Sequence, residues 1–192
     1  MATLRIRAPR LGDGLAIGRV HVRAWKAAYR GLLPAAFLDS LDEDHGGMAW
    51  ESRLAGRPTP SVPDLRHELL VVESTGAAPH PTGSADIVGV ATIGPDRQQP
   101  GGDAGELWMI NVRPDAWGTG AGSSLLQAAQ AALADLGYRR AVLWVVAGNT
   151  RARRFYERHG WRTDGTEKRE EIGGRLVREL RYVLGDLGPT PA

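Results

Sequence analysis

Cysteine is absent from the 192-residue chain. Disulfides and thiolate metal sites are therefore excluded. Nor is any stretch long and apolar enough to cross a membrane as a helix. Residues 1–6 carry no signal-peptide pattern, and the expected location is cytoplasmic. Charge is nearly balanced, at a formal +2, which is too little to argue for nucleic acid as a partner. The basic residues are almost all arginine and are spread along the chain; arginine suits phosphate recognition. The five histidines, His21, His45, His67, His80 and His159, share no spacing. None reads as a metal ligand, and no metal is expected. No internal repeat is visible. Hydrophobic residues make up 42% of the chain, which is ordinary for a globular protein. The length suits one domain with a proper core. We place that domain at residues 1–185 and read 186–192 as a tail.

What is present is concentrated in residues 106–132. Leu107, Trp108, Met109, Ile110 and Val112 form a short run of bulky apolar side chains, the mark of a strand. Pro114 ends its ladder, because proline has no N–H to donate. Trp117-Gly118-Thr119-Gly120-Ala121-Gly122 follows, and then an alanine- and leucine-rich helix over residues 123–136. Without Cβ atoms, three glycines let the backbone turn tightly and let another group approach it. The first N–H groups of the helix have no partners inside the helix. With the positive end of the helix dipole they make a site for an anion. The stretch therefore predicts a phosphorylated cofactor; the plainer alternative is a connection that only lets helix and strand pack. A P-loop would carry Lys-Ser or Lys-Thr after its last glycine, and Gly122 is followed by Ser123-Ser124. A dinucleotide fold would want Gly-x-Gly-x-x-Gly and an acid ending the next strand. Here the glycines are 118, 120 and 122, and the next apolar run, residues 141–146, ends in Ala147-Gly148.

The rest of the chain reads in order. Residues 4–7 alternate apolar and basic, as an edge strand does. Asp13 is placed to cap a helix reaching Arg30. On it Ile17, Val20, Ala24 and Ala27 face the core, while His21, Trp25, Ala28 and Tyr29 share a neighbouring face. Pro34 opens a second helix over 35–41, and a third piece covers 48–54. Residues 57–64, with three prolines, read as a surface loop. Strands over 67–73 and 87–93 form a hairpin with a long loop, and Gly89 marks a bulge or a close contact. Residues 96–105 are a glycine-rich connection. Residues 141–146 lack polar alternation, as a parallel or central strand does. Asn149 opens a helix over 150–159, closed by Gly160. The last strands are residues 161–162 and 176–184, joined across 164–174.

The turn resembles the acyl-CoA loop of the GNAT family of N-acetyltransferases. That family's pattern is Arg or Gln, two residues, Gly, one residue, Gly or Ala. It falls here on Trp117, Gly120 and Gly122, with Trp117 standing where Arg or Gln is usual. A second match runs from Asn149 through Ala152, Phe155-Tyr156-Glu157 and Gly160-Trp161, the family's Asn, Ala, Phe-Tyr-Glu and Gly-Phe slots. The two lie in the family's order, and the resemblance covers nearly the whole chain. Residues 24–34 resemble a common bacterial subset of the family.

The resemblance implies an α/β (α+β) single-domain fold with a mixed central sheet of about six to seven strands, helices on both faces and splayed central strands. It implies acyl transfer from acetyl-CoA to an amine of a small molecule or peptide. The pantetheine arm would lie between the strands of Val112 and Ala141, paired with Ile110, Asn111 and Val112 where a bulge frees their backbone. The pyrophosphate would sit on the amides of Gly118, Thr119, Gly120, Ala121, Gly122 and Ser123. Asn149 would bond to the cofactor or cap its helix, and one residue can do both. Arg151, Arg153 and Arg154 read as a solvated helix face rather than as phosphate ligands.

The acceptor amine has an ordinary pKa of about 10.4 and must lose a proton before it attacks. Glu106, opening the central strand, is the candidate base through a water. Tyr156 is the candidate acid for the leaving thiolate. Trp25, Tyr29 and Trp50 are expected to line the acceptor pocket, since aromatic faces attract cationic amines. Members of the family are often dimers, and the final strands offer a surface for that. Two other readings stay open: a GNAT-like module that binds CoA without catalysis, and a different nucleotide-binding α/β protein.

Overall fold

Side chains of strand β3, Asp86–Pro95, are shared between two cores. Ile87 and Val90 join one buried cluster, with Ile17, Val20, Trp50 and Val71. Val88, Ala91 and Ile93 join the other, with Val72, Leu125, Leu126 and Leu133. Opposite faces of one strand thus feed opposite layers, as the two-residue strand repeat requires. A bulge at Val88, opposite Val72 and Glu73, shifts the register and puts Ile87 on the same face as Val90.

The computed structural model describes residues 3–57, 68–75 and 86–188. Its elements are β1 (Thr3–Arg7), α1 (Gly14–Ala28), α2 (Ala35–Ser40), α3 (Glu43–Leu54), β2 (Glu68–Thr75), β3, β4 (Ala104–Val112), α4 (Ala121–Asp135), β5 (Arg140–Val146), α5 (Thr150–Arg158), β6 (Arg162–Ile172) and β7 (Arg175–Leu184). A seven-stranded sheet runs in the order β1-β2-β3-β4-β5-β7-β6. Among the described strands only the β4–β5 pair is parallel. Helices α1 and α3 cover one face, and α4 and α5 the other. Leu38 of α2 closes the open end of the first face with Leu33, Val146 and Val177. The mixed sheet with helices on both faces agrees with the expected α/β architecture.

Several expectations are corrected. Asp13 sits at the α1 N-cap position, but its carboxylate is taken by Arg7 (2.6 and 3.1 Å) and the Arg10 N–H (2.8 Å). Glu51 of α3 accepts from Gly12 and Gly14 N–H instead, at 2.7 and 2.9 Å. That tertiary cap lay beyond any local pattern. Helix α3 starts at Glu43, five residues before the expected Met48, because Asp42 accepts from His45 N–H at 2.7 Å and so caps it. Residues 164–172, read as a connection, are strand: β6 and β7 form a hairpin turning at Gly173-Gly174, both at positive φ. The hairpin's outward face is charged, so apolar alternation could not reveal it. The 57–64 loop and the turn between β2 and β3 lie almost wholly outside the described residues. Beyond the 1–185 boundary, Leu187 donates to the Arg139 carbonyl at 2.9 Å and packs on the core.

Candidate active site

Strand β4 pairs with β5 at only three positions, Ala104–Arg140, Gly105–Ala141 and Glu106–Val142. Beyond Glu106 the two strands part. Gly105 permits the close start: a Cβ there would come within 2.5 Å of Leu133 and 2.7 Å of Tyr138. The expected bulge in β4 is present but lies earlier than residues 110–112. It falls at Trp108, since Thr92 faces Met109 while Ile93 faces Leu107. The Trp108 indole N–H reaches the Pro95 carbonyl at 3.0 Å and holds the extra residue in place.

The gap opens into two cavities. One, of about 350 Å³, is lined by Trp117, Gly118, Gly120, Gly122 and Ser123 on the turn and Phe155 and Arg158 on α5. The other, of about 340 Å³, is lined by Trp25, Tyr29, Trp108 and Trp144 with Glu170 and Glu179. Ile110, Val112, Arg151, Ala152 and Tyr156 border both.

On the first cavity, Gly118 and Gly120 hold φ of 79° and 94°, conformations that favour glycine. Ala121, Gly122 and Ser123 begin α4, so their N–H groups have no acceptor within the helix. At Gly122 the nearest neighbours of an added Cβ would be Phe155 at 3.5 Å and Val112 at 3.7 Å; its lack of a side chain widens the cavity rather than relieving a clash. Thr119 turns its hydroxyl back to the Ala116 carbonyl at 2.8 Å. Ser123 Oγ lies 3.0 Å from His159 Nε2, and His159 Nδ1 is 2.8 Å from the Phe155 carbonyl, tying the turn to α5. The Trp117 indole N–H donates to the Val112 carbonyl at 2.7 Å. Its ring lies under the Arg151 guanidinium, 3.1 Å from Cζ to the ring centre. Arg153 is also engaged, donating to Tyr182 Oη and to the Ala147 carbonyl at 3.1 and 3.2 Å. Two of the three arginines read as a solvated face are thus held by tertiary contacts.

Tyr156 faces both cavities from α5, packed against Phe155, Trp161 and Tyr182. Burial, then the nearby Tyr29, raises its phenol well above the ordinary value of 10. Tyr29 is pushed up to about 12 by burial and by Glu179, against a hydrogen bond from Asn149. Asn149 Oδ1 accepts from the Ala152 N–H at 3.1 Å, so it caps α5 while its amide meets Tyr29.

Of the expected acceptor residues, Trp25 and Tyr29 line the second cavity, stacked at 5.0 Å between ring centres. Trp50 does not: it is buried with Ile17 and Val20. Between Trp25 and Trp50 sits His21, 5.2 and 6.3 Å from their ring centres. Its Nδ1 lies 3.0 Å from Asn111 Nδ2, so Nδ1 accepts and Nε2 carries the proton. Burial, helped by the charge of Arg53, lowers His21 to about 4. It is therefore neutral at pH 7. Glu106 is only 1% exposed. Its two oxygens take the Arg97 backbone N–H at 2.9 Å and the guanidinium at 2.5 to 3.2 Å.

Sequence reasoning missed Arg97, Trp144, Lys168, Glu170 and Glu179 in the second cavity. Glu179 carried one signal, an acid in phase with inward Val177 on a strand. Arg97 comes from a connection, Lys168 and Glu170 from a hairpin with no apolar alternation to read, and Trp144 from β5, whose unbroken apolar run hid which side faces a cavity.

The model described as the acetyltransferase (GNAT) family matches residues 38–161. The chain belongs to the GNAT acetyltransferase family. This GNAT chain is 26% identical over 144 residues to the uncharacterized N-acetyltransferase YuaI of Bacillus subtilis, covering 75% of this chain and 72% of that one. Over 62 residues it is 40% identical to a mycothiol acetyltransferase of Cellulomonas flavigena, 32% of this chain and 18% of that protein. Its fold is similar to Salmonella typhimurium YncA solved with acetyl-CoA, with a TM-score of 0.64, 20% identity and coverage of 99% and 97%. It is likewise similar to the PaiA N-acetyltransferase of Thermoplasma acidophilum in complex with coenzyme A, with a TM-score of 0.62, 15% identity and coverage of 92% and 98%. As a GNAT acetyltransferase the chain is an enzyme, with acetyl-CoA as its cosubstrate. The Gly122 and Ser123 amides, beside a gap between parting strands, fit a diphosphate and an extended arm.

Proposed function

We propose that this GNAT enzyme moves an acetyl group from acetyl-CoA to a primary amine of a small molecule or peptide. The observation that carries the reading is the position of Tyr156, which borders both cavities where β4 and β5 have parted. The amides of Gly118, Gly120, Gly122 and Ser123 hold the diphosphate, those of Thr119 and Ala121 having acceptors at 3.5 Å, and the α4 dipole favours its charge. The edge of β4 that β5 has left beyond Glu106 orients the arm. When bound, the cosubstrate supplies an activated thioester. The amine enters beside Trp25, Tyr29, Trp108 and Trp144, whose faces suit a cation.

Tyr156 is the hydrogen-bond donor to the sulfur that leaves. A free thiol has a pKa of about 8.5, below that of a buried phenol. Full transfer from Tyr156 alone is therefore uphill. It becomes balanced when Tyr156 regains a proton from the nitrogen as it gives one to sulfur. Glu106, the third residue of β4, is a carboxylate already committed to Arg97. Its contribution in this reading is to hold Arg97 at the acceptor cavity.

The test is thiol release from acetyl-CoA against a panel of alkyl diamines, amino acids and short peptides. Release that depends on an amine is expected. CoA binding by calorimetry without any amine-dependent release would overturn catalysis and leave a binding module.

A further inference from the structure

The acceptor cavity holds a carboxylate that the reading above leaves without work. Glu179 lies on β7, opposite Val146 of β5 and Lys168 of β6. Val146 is at the end of β5 that has left β4, so Glu179 stands on the wall opened by the parting strands. Its side chain is 12% exposed, and that exposed part faces the cavity lined by Trp25, Tyr29, Trp108 and Trp144. Lys168 Nζ is 3.2 Å from Glu179 and 3.4 Å from Glu170, and sits 4.8 Å from the centre of the Trp144 ring. Of the carboxylates at this end of the sheet, Glu106 is closed off. Each of its oxygens already accepts from Arg97, and it borders neither cavity.

We infer that Glu179, rather than Glu106, receives the acceptor's ammonium group and takes its proton. This rests on the acyl-transfer reading and names the base within it. One geometric fact carries it: a partly open carboxylate edge on the same aromatic cavity that Tyr29 and Tyr156 line. The charge of Glu179 is felt at Tyr29, and Tyr29 is felt at Tyr156. Arg97 also faces this cluster: burial opposes its charge, but the Glu106 hydrogen bond and then the charges of Glu106, Glu179 and Glu170 outweigh that. The titratable and charged groups that line this cavity with Glu179 are Lys168 and Glu170 on β6, Arg97 before β4, Tyr29 after α1, and Arg151 and Tyr156 on α5.

The step balances as follows. The ammonium gives one proton to Glu179, directly or through a water, and becomes a neutral amine. Its nitrogen bonds to the thioester carbon, and the carbonyl electrons move to oxygen. The C–S bond breaks as the carbonyl re-forms. Tyr156 gives its proton to sulfur and regains one from the nitrogen. The products are the amide and the free thiol, with one proton left on Glu179 to pass to water.

The experiment compares wild type, Glu179→Gln, Glu179→Asp and Glu106→Gln by kcat/KM across pH 5 to 10, with CoA affinity by calorimetry and circular dichroism alongside. Glu179→Gln should lower kcat/KM by about a hundredfold, abolish the acidic limb of the profile and leave CoA affinity unchanged. Glu179→Asp should recover part of the rate and keep the limb. Wild-type turnover with an unaltered Glu179→Gln profile overturns the assignment while acyl transfer stands. So does loss of the acidic limb in a folded Glu106→Gln variant. No amine-dependent turnover by wild type overturns both readings together.

Discussion

The indole of Trp117 lies under the guanidinium of Arg151, with Cζ 3.1 Å from the ring centre, while its N–H holds the Val112 carbonyl. Trp117 occupies the place where related loops carry a cation-bearing or amide side chain. Arg151 is set against that place from α5, and it borders the cofactor cavity. Both residues line the first cavity.

If Arg151 supplies charge to the cosubstrate's phosphates, its loss should act only on ligands that carry them. We predict that Arg151→Gln weakens CoA about tenfold, in line with one charge-assisted contact. Pantetheine, which has no phosphate, should bind equally well to both proteins. Calorimetry with the two ligands checks this; equal losses would point to a general collapse of the cavity instead.

Tyr156→Phe removes the proton donor at the sulfur and keeps the ring packing against Phe155, Trp161 and Tyr182. Turnover should fall about a hundredfold with CoA affinity retained. Thiol-release kinetics read the first quantity and calorimetry the second. Unchanged turnover would remove Tyr156 from the acid role.

His21 gives a pH signature of folding. Its folded pKa, about 4, is below the ordinary value near 6.5. Between these values the unfolded chain binds more protons, so stability rises with pH through that window and is lost as pH falls from 6.5 toward 4. The loss should be about 2 kcal/mol, after discounting for the ring's partial exposure. Urea titrations at pH 7 and pH 4.5 measure it. His21→Gln keeps an acceptor for Asn111 and should flatten the slope in this window.

Arg97→Ala would strand the Glu106 carboxylate, which is 1% exposed. Breaking a buried ion pair leaves an uncompensated charge. Arg97 itself is 40% exposed, so the expected cost is moderated to about 2 kcal/mol. Adding Glu106→Gln should restore part of it, since the stranded charge is then gone. Denaturant unfolding of the single and double variants tests the pair.

The legible parts of this molecule are those written in local patterns. Leu107 to Val112, Pro114 and the three glycines form one strand, one stop and one turn, and each signal acts within a few residues. The Asn149 cap and the strand over 141–146 were readable for the same reason. The Glu51 cap on α1 was not, because its acceptor lies 37 residues from the Gly14 N–H. Residues 164–172 were misread because a strand with a solvated face shows charge without alternation.

The order of residues alone determined the strand, the stop, the glycine turn and the helix start, since backbone sterics and orphan amides depend on near neighbours. What only tertiary structure decided is where charge meets those elements. Arg97 closes over Glu106, Lys168 comes beside Glu179, and Arg151 reaches Trp117. Each pairing joins segments that adopt a fixed relation only once the sheet is assembled. The same assembly decided that β4 and β5 part after Glu106, and that parting is what makes room for chemistry.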